Sequence, residues 1–478
     1  MADFDATILD AIEIPGLWKP WFRRTDTWGP WRAFLKSFFG LPMMEPELAL
    51  FRECTGRQQP EGDGYNECWL ICGRRAGKSF MLALIACYLA NFKDWTEYLV
   101  PGEVGTIMVI ACDRKQARTI FRYCRALLTL VPALKQRVVR ATAEEIELEG
   151  DIVIEVMTAS YAGVRGYTVI ALLLDELAFW ETAVDASDAD NEVIEALRPA
   201  MATIPNARML VASSPYARKG ALWDAYRQHW GEREGANLPT LVWKAPSWVM
   251  NPSLPQSFLD RQYQRDPVSA AAEYGAEFRT DIASFVSREV VDAAVVPGRY
   301  ELPRLAEFFY MAFVDPSGGS GSDSMTLAIA HYEGEQAERR ILDCVREWVP
   351  PFSPDEVTRE AAAVLGLYDI SSVRGDRYGG DWVGEKFREH GVQYEPADKF
   401  KNDLYREFLA PLNSGRVELL DHPRLVSQLC ALERRTARGG RESIDHPPNG
   451  HDDVANAAAG VLTLAGMSRS QLSWRGML

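Results

Sequence analysis

The stretch that decides the fold is residues 69–82, which read WLICGRRAGKSFML. It follows the phosphate-loop pattern G-x-x-x-x-G-K-[ST] from Gly77 onward, but Cys72 stands where the pattern has its first glycine, and Gly73 comes one place late. The apolar run before the loop predicts a buried strand, and the apolar run after Ser79 predicts a long helix. A strand, a loop and a helix N-terminus in this order direct backbone N–H groups at a phosphate. The stretch therefore predicts a nucleotide-binding loop in an α/β domain.

Each residue type in the loop suits a contact with ATP and its Mg²⁺ ion. Lys78 is expected to meet the β- and γ-phosphates, and the Ser79 hydroxyl to bind Mg²⁺. The residues predicted to bind the nucleotide are Gly73, Arg75, Ala76, Gly77, Lys78, Ser79 and, from a later motif, Asp175. The pattern does not require arginines, so Arg74 is predicted to stabilise charge at the γ-phosphate during catalysis. A solvated basic loop explains either arginine about equally well, and which of the two acts as a finger stays open.

A second motif, VIALLLDELAFW (169–180), is an apolar strand that ends in two acidic residues. Asp175 is expected to hold Mg²⁺, and Glu176 to polarise the attacking water. Acidic pairs are common at strand ends, but beside a phosphate loop this pair favours a hydrolytic site. A third run, VASSPYARKG (211–220), contains Ser213 and Ser214, for which a hydroxyl near the γ-phosphate and an ordinary turn both stay open.

Short β-rich runs alternate with helical patterns around these motifs. The runs are CWLIC (68–72), GTIMVIA (105–111), IVIEVM (152–157), VIALLL (169–174) and ARMLVA (207–212). Strands that are buried on both faces and separated by helices predict a mostly parallel, doubly wound sheet.

Composition limits the class of protein. A chain of 478 residues is long enough for two or three domains, and its hydrophobic content of 47% excludes disordered and collagen-like classes. The net charge of −15 excludes a protein that coats nucleic acid through bulk charge, but not one that grips it locally. The eight cysteines include no C-x-x-C pair, which predicts buried thiols. No run has the length of a membrane span and the first residues lack a signal-peptide layout, so a cytoplasmic location and no membrane partner are expected.

A different pattern begins near residue 305. The runs FFYMAFVD (308–315), MTLAIAHY (325–332) and RRILDCVREW (339–348) follow one another, which predicts antiparallel hairpins. A helix, a strand and further helices come next, as in a mixed α/β domain. The predicted organisation is a helical approach segment (1–60), an ATPase domain (61–245), a connecting region with proline turns (246–304) and a second domain (305–478).

Together these motifs resemble the large terminase subunits of tailed bacteriophages and prophages. The loop reads GRRAGKS (73–79), and phosphate loops of that family are often degenerate at the first glycine. The runs ACDRKQARTIF (111–121), YAGVRGYTVIALLLDE (161–176), NPSLP (251–255) and AEYGAEFRTDIASFV (272–286) are similar to further segments of the family. The resemblance covers most of the chain. It implies an N-terminal P-loop NTPase domain with a mostly parallel sheet, and a C-terminal RNase H-like nuclease domain with a mixed sheet and helices.

Four aspartates of the second domain occupy places that an RNase H-like nuclease needs. Two-metal phosphodiester cleavage requires carboxylates from separate elements that converge on ions about 4 Å apart. Asp315 ends the first strand, Asp376 follows a later strand, and Asp452 and Asp453 open an alanine-rich helix. Each alone is better explained by a turn or a helix cap, but together they favour metal ligation. All four are predicted metal ligands for Mg²⁺ or Mn²⁺, with Asp315, Asp376 and Asp453 as catalytic residues; which of Asp452 and Asp453 binds metal stays open.

For several polar residues near these aspartates, a structural role competes with a role in catalysis. His451 suits a ligand or a proton shuttle, but an exposed histidine at a helix start is the commoner case. Asp323 suits an accessory acid or, more simply, a turn. His446 is predicted to be structural. Asn456 stands where family members often carry aspartate, so metal affinity could be altered here.

The resemblance implies a viral DNA-packaging motor. ATP hydrolysis would move double-stranded DNA into a procapsid, and the nuclease would cut concatemeric DNA at the start and end of packaging. The implied partners are a portal protein, a small terminase subunit and further copies in a homo-oligomeric ring in the host cytoplasm, while an isolated chain is compatible with a monomer. The basic segments 399–408 and 432–443 are predicted to meet DNA phosphates, although for the second a solvated loop explains the charges as well. Two alternatives stay open, namely a helicase or repair nuclease and a packaging scaffold with one silent active site.

Overall fold

A computed structural model describes residues 6–158, 166–182, 189–231, 240–321, 323–334, 338–376, 381–436, 442–447 and 450–464. These residues form two compact units, the first ending at Thr280 and the second beginning at Asp281. The division falls inside the region 246–304 that is predicted to connect the domains. No helix in the described part of the chain is long and apolar enough to cross a membrane.

The first unit is built on an eight-stranded sheet. Its strands are β1 (Glu67–Cys72), β2 (Gly105–Ala111), β3 (Val138–Ala141), β4 (Glu145–Leu148), β5 (Ile152–Thr158), β6 (Thr168–Asp175), β7 (Arg208–Ser213) and β8 (Thr240–Ala245). In space they follow the order β3-β4-β5-β2-β6-β7-β1-β8. The six strands from β5 to β8 in this order pair in parallel, and β4 and β3 add antiparallel strands at one edge. The mostly parallel sheet predicted from the sequence is confirmed.

Helices and helical turns cover this sheet. They are α1 (Ile8–Glu13), α2 (Gly29–Phe39), α3 (Glu45–Thr55), α4 (Lys78–Phe92), α5 (Arg114–Thr129), α6 (Pro132–Lys135), α7 (Ala189–Met201), α8 (Gly220–His229), α9 (Ser247–Met250), α10 (Gln256–Arg265) and α11 (Pro267–Glu273). Helix α4 is apolar on all sides and is buried along its length, because it packs against the sheet and is flanked by α1 and α5. Helix α5 is amphipathic, and the Asp113 carboxylate caps it by accepting from the backbone N–H groups of Lys115 and Gln116. The phosphate loop therefore joins two largely buried elements, β1 and α4.

The second unit contains one large and one small sheet. Its strands are β9 (Ile282–Ser284), β10 (Tyr310–Asp315), β11 (Met325–Glu333), β12 (Arg339–Trp348), β13 (Ser372–Gly375), β14 (Gln393–Pro396), β15 (Val417–Glu418), β16 (Glu433–Thr436) and β17 (Glu442–Asp445). The large sheet has the order β14-β13-β10-β11-β12-β15, and the small sheet β17-β16-β9. Strands β10, β11 and β12 pair antiparallel, whereas β13 and β14 run parallel to β10. Three antiparallel strands extended by two parallel ones form the predicted RNase H-like mixed sheet.

Six helices complete the second unit. They are α12 (Arg288–Ala294), α13 (Pro354–Leu367), α14 (Asp381–Glu389), α15 (Lys401–Asn413), α16 (Pro423–Ala431) and α17 (Asp453–Thr463) among the described residues. Helix α17 is rich in alanine and almost fully buried, since it packs against β10 and β11 on one side and against α15 and α16 on the other. Small side chains allow this close approach, which brings the start of α17 beside the end of β10.

Candidate active sites

The phosphate loop is shaped by contacts with distant parts of the first unit. A Cβ atom on Gly73 would collide with the Ser247 hydroxyl and lie 2.7 Å from the Tyr274 carbonyl oxygen, so only glycine fits there. Ser247 Oγ donates to the Arg74 carbonyl at 2.7 Å, and the Trp31 indole N–H donates to the Ala76 carbonyl at 2.9 Å. The glycine that comes one place late is therefore required by packing in this chain.

Lys78 is buried behind the loop. Its ammonium donates to the Cys72 carbonyl at 3.0 Å, to the Gly73 carbonyl at 3.3 Å and to Ser214 Oγ at 2.9 Å. It also pairs with Glu176 Oε1 at 3.2 Å. These contacts hold the buried cation against the carbonyl oxygens of the loop and beside Ser214 and Glu176.

Ser79 and Asp175 meet across the start of α4. Ser79 Oγ donates to Asp175 Oδ2 at 3.0 Å, while Asp175 Oδ1 is buried and has no hydrogen-bond partner among the described residues. Burial, together with the neighbouring Glu176, raises the pKa of Asp175 to about 7. A buried carboxylate oxygen without a donor, next to a serine hydroxyl, fits a Mg²⁺ ion, which takes oxygen ligands.

Glu176 directly follows β6 in a left-handed conformation, with φ of 53°. This conformation is uncommon for a residue with a side chain, and such strain is found mostly at functional sites. Its Oε2 accepts from the backbone N–H of Ser214 at 2.9 Å, and its Oε1 faces Lys78. Ser214 thus contacts both the lysine and the glutamate, through its hydroxyl and its backbone N–H respectively. The Ser213 hydroxyl instead accepts from the Ala178 backbone N–H at 3.2 Å.

The two loop arginines are placed differently. Arg74 pairs with Glu273 at 3.1 Å through an exposed guanidinium. Arg75 has a φ of 66° and lines the nucleotide cavity, a cavity of about 770 Å³ in front of the loop. Arg74 is not among the described residues that line this cavity.

The nucleotide cavity has walls that the sequence motifs did not indicate. Besides the loop and Glu176, its described lining includes Phe80, Thr119, Tyr123, Asn251, Leu254, Pro255, Ser257, Phe258 and Arg261. Asn251 also donates to the Arg75 carbonyl at 2.8 Å. The segment around NPSLP, which the sequence places in a connecting region, therefore forms one wall of the site. Its resemblance to a terminase segment was the one available signal.

In the second unit, β10 and α17 bring distant aspartates together. A Cβ atom on Gly460 would lie 2.5 Å from the Phe313 ring, so α17 approaches β10 as closely as glycine allows. Asp315, at the end of β10, accepts from the Asn456 amide at 2.9 Å, one turn into α17. The side-chain amide oxygen of Asn456, Oδ1, is buried and has no hydrogen-bond partner in the described part of the chain.

These residues line a cavity of about 550 Å³, here called the aspartate cavity. Its described acidic lining is Asp315, Asp323, Asp376, Asp452 and Asp453, and its basic lining is Lys401, His446 and His451. Burial and the other aspartates raise the pKa of Asp315 well above its ordinary value, against the effect of Asn456. An excess of carboxylates, of which Asp452 and Asp453 are buried, over cations fits divalent metal ions together with the nearby Asn456 side-chain oxygen.

Asp452 is held by two neighbours. Its carboxylate pairs with Lys401 at 2.8 Å and accepts from the Tyr405 hydroxyl at 2.8 Å. Lys401 also pairs with Asp445 at 2.9 Å. Burial lowers the pKa of Lys401, but Asp452 and Asp445 outweigh it and raise that pKa overall. Ligand atoms of Asp445, His446 and Asp452 lie within 4.8 Å of one another, a spacing that could hold a metal ion, although Lys401 already contacts both carboxylates.

Asp453 has a different environment from its neighbour. One of its oxygens accepts from the Ser324 backbone N–H at 3.0 Å. Burial raises the pKa of Asp453 to about 6, against the effect of the Ser324 hydrogen bond. His451 Nδ1 faces Asp323 at 3.3 Å at the rim of the cavity. The structure therefore brings Asp315, Asp376, Asp452 and Asp453 to one cavity, and adds Lys401, Tyr405 and Asn456 as partners of two of them.

The first predicted DNA-contacting segment lies on α15, and the described part of the second lies on β16 and β17. Residues 399–408 lead into and form most of α15, and besides Lys401 they include Lys399, which pairs with Glu407 at 2.6 Å. Part of the second segment, residues 437–441, lies outside the described residues.

Fold and geometry define the class of protein: a P-loop NTPase domain joined to an RNase H-like domain. Residues 41–276, a little under half of the chain, match the family model described as "Uncharacterized protein MJ0330, N-terminal P-loop domain". No curated protein matches the chain.

Among solved structures, similar chains include large terminases. The HK97 bacteriophage large terminase is 18% identical, with 89% of this chain and 96% of that chain covered and a TM-score of 0.37. The large terminase of a thermophilic bacteriophage in complex with ADP is 14% identical, with 84% and 94% covered and a TM-score of 0.33. The large terminase nuclease of the thermophilic phage G20c with bound magnesium is 15% identical, with 37% and 97% covered and a TM-score of 0.33.

Proposed function

We propose that this chain is the large terminase subunit of a viral DNA-packaging motor. The first unit would hydrolyse ATP to move double-stranded DNA into a procapsid, and the second would cut concatemeric DNA at the start and end of packaging. One observation carries the proposal: a single chain has a phosphate loop whose lysine and serine contact the acidic pair, and a second unit in which the four predicted aspartates line one cavity. A portal protein, a small terminase subunit and a ring of copies in the host cytoplasm belong to the same proposal.

In the ATPase site, the residues present can perform each step of hydrolysis. Lys78 leaves the carbonyl oxygens of the loop and binds the β- and γ-phosphates, and the N–H groups of the loop surround them. Ser79 and Asp175 would hold Mg²⁺, which neutralises phosphate charge. When Lys78 moves, Glu176 loses one ion-pair partner and is free to accept a proton from the attacking water. Ser214 contacts both Lys78 and Glu176, so its hydrogen bonds would change when Lys78 moves to the phosphates.

In the aspartate cavity, the carboxylates converge from a strand end, a strand-following loop and a helix start. Asp315, Asp376 and Asp453 would hold the metal ions, which supply a nucleophilic hydroxide and stabilise the leaving oxygen. Asn456 keeps Asp315 oriented. Lys401 compensates the charge of Asp452 and the Tyr405 hydroxyl donates a hydrogen bond to it, so that this carboxylate adds less repulsion to the cluster.

Plasmid cleavage tests the nuclease half. The purified protein should nick and linearise supercoiled DNA in Mn²⁺ or Mg²⁺, and Asp315→Asn should abolish this. Asp369→Asn is a matched control, since Asp369 is an exposed aspartate of the same unit that pairs with Arg304. Its left-handed φ of 62° is one that asparagine also adopts. Wild-type protein that leaves DNA intact in both metals would refute an autonomous nuclease.

Steady-state ATP hydrolysis tests the motor half. Lys78→Ala should remove nucleotide binding, whereas Glu176→Gln should bind ATP and fail to hydrolyse it, because the base is lost but the phosphate contacts stay. The exposed Lys135→Ala serves as a control for loss of a cation. Hydrolysis that survives Glu176→Gln unchanged would show that another group activates the water.

A further inference from the structure

A second cavity of the first unit is separate from the nucleotide cavity. It has a volume of about 670 Å³, and its walls come from α8 and the residues before it, from β8, and from α11 and the chain that follows it. We call it the basic–aromatic cavity, after its lining residues Arg218, Trp223, Tyr226, Lys244, Phe278 and Arg279. The described residues that line it differ from those that line the nucleotide cavity. The proposed ATPase chemistry does not use this cavity, so its charged and aromatic lining requires a separate explanation.

Positive charge is concentrated in this cavity. Arg218 and Lys244 line it, and Glu277 is the one carboxylate among its described lining residues, in a chain whose net charge is −15. Lys244 is partly buried, and burial lowers its pKa while Glu277 opposes that shift. A cation that has lost part of its hydration gains free energy from an anionic partner. The cavity therefore suits an anionic ligand.

The aromatic side chains hold the cations in place. The Arg218 guanidinium lies 5.4 Å from the centre of the Trp223 ring, and the Lys244 ammonium lies 5.4 Å from the centre of the Tyr226 ring. Phe278 packs against both rings, at 4.9 Å from Trp223 and 5.3 Å from Tyr226. Because each ring already faces a cation on one side and a neighbouring ring on another, the rings are poorly placed to stack on DNA bases. The arrangement favours recognition of phosphate.

We propose that the basic–aromatic cavity binds the phosphodiester backbone of double-stranded DNA, with Arg218 and Lys244 as the contacting cations. This inference rests on the proposed function, for which it names a DNA-gripping surface of the ATPase unit. Arg218 is exposed and Lys244 is partly exposed, so a phosphate group outside the cavity can reach both. Phosphate contacts carry no sequence information, and a motor that moves DNA of any sequence needs such contacts.

Fluorescence anisotropy with a short mixed-sequence duplex tests the proposal in the full-length protein. EDTA is present and nucleotide is absent, so the DNA is not cut. The test variant is Arg218→Ala/Lys244→Ala. Its matched control is Arg227→Ala, which removes a cation of α8 that pairs with Asp224 at 3.9 Å and does not line the cavity.

The double variant should bind the duplex on the order of tenfold more weakly, and the slope of log K against log salt should fall by about 2, one for each lost phosphate contact. The loss should be the same for duplexes of different sequence. A duplex with uncharged methylphosphonate linkages should bind wild type and double variant alike, which distinguishes backbone phosphate from base contacts. DNA-independent ATP hydrolysis should be unchanged and shows that the variant is folded.

Two results would overturn the proposal. One is a double variant that binds the duplex with wild-type affinity and salt slope. The other is inorganic phosphate or a nucleoside monophosphate that saturates the cavity and leaves duplex binding unaffected, since the ligand would then be a free phosphate compound. Plasmid cleavage and ATP hydrolysis by the wild type are measured in parallel. If they persist while either result is found, this inference fails and the proposed function stands; if they are absent, the proposed function itself fails.

Discussion

The two adjacent aspartates at the start of α17 differ in their contacts. Asp452 is paired with Lys401 and accepts from Tyr405, while Asp453 accepts from the Ser324 backbone N–H. A carboxylate whose charge is already compensated by a lysine attracts a metal ion less strongly than a carboxylate without such a partner. The structure therefore favours Asp453 as the ligand.

We predict different effects for the two asparagine substitutions. Asp453→Asn should reduce metal-dependent plasmid cleavage to background, because a metal ligand is lost. Asp452→Asn should lower cleavage by about 10–100-fold, as expected for a residue that supports the ligands without binding metal. Initial cleavage rates over a range of Mn²⁺ concentrations provide the measurement. At saturating Mn²⁺, Asp453→Asn should still lose more cleavage activity than Asp452→Asn. A larger loss in Asp452→Asn would instead assign the metal to Asp452.

At the scale of elements, the phosphate loop tolerates Cys72 at its first position because the position without room for a side chain is the next one, Gly73. Cys72 is buried at the end of β1, whereas Gly73 touches Ser247 and the backbone at Tyr274. The position of the glycine thus follows from the chain that packs behind the loop.

Substitutions at these two positions should have effects opposite to those that the phosphate-loop pattern predicts, because the pattern has its glycine at position 72 and not at position 73. Gly73→Ala should raise the KM for ATP, since the added Cβ displaces the loop. Cys72→Gly restores the pattern, yet should cost about 1–3 kcal/mol of stability through the lost buried side chain and the added strand flexibility, with no gain in ATP affinity. Thermal unfolding and steady-state ATP hydrolysis are the measurements. Tighter ATP binding by Cys72→Gly would contradict the packing explanation.

Helix α17 illustrates how one element positions a site. It carries Asp453 and Asn456 at its start and lies on the Phe313 ring at Gly460. A methyl group at Gly460 would push the helix away from β10 and separate Asp453 from Asp315.

We predict that Gly460→Ala destabilises the second unit by about 1–3 kcal/mol, as overpacking does, and lowers plasmid cleavage. Gly366→Ala is the matched control: Gly366 lies in α13 of the same unit, a Cβ atom added there would have nothing within 4 Å, and the variant should gain up to about 1 kcal/mol. Thermal unfolding with a cleavage assay follows both effects. Equal behaviour of the two variants would show that α17 can shift without cost.

At the scale of the whole molecule, each unit has its own apolar core. The first core surrounds α4 and the strands of the parallel sheet, and the second surrounds α17, α15 and β10. Units with separate cores are expected to respond separately to ligands that bind only one of them.

We predict that a non-hydrolysable ATP analogue raises only one of two calorimetric transitions. At a hundredfold excess over Kd the stabilisation is about 2.7 kcal/mol, which corresponds to a shift of about 5–10 °C for a unit of this size. Mg²⁺ is kept at one concentration throughout, so that only the nucleotide differs. The shift should vanish in Lys78→Ala. A shift of both transitions together would mean that the units unfold cooperatively.

The sequence by itself determined the main strands and the candidate residues of both sites. Apolar runs and helical periodicity identified five strands of the parallel sheet and three hairpin strands of the second unit, because burial on a sheet imposes local patterns that are legible along the chain. The phosphate loop, the acidic pair after β6 and the four aspartates were likewise visible, since each lies at the end of such an element.

Only the tertiary structure decided which residues meet these groups. The Lys401 contact with Asp452 joins residues 51 positions apart, and the Arg74 pair with Glu273 joins residues 199 positions apart. The wall of the nucleotide cavity near Asn251 and the basic–aromatic cavity arise in the same way. No periodicity records such contacts, because they depend on how whole elements pack and on the side chains that packing leaves facing one another.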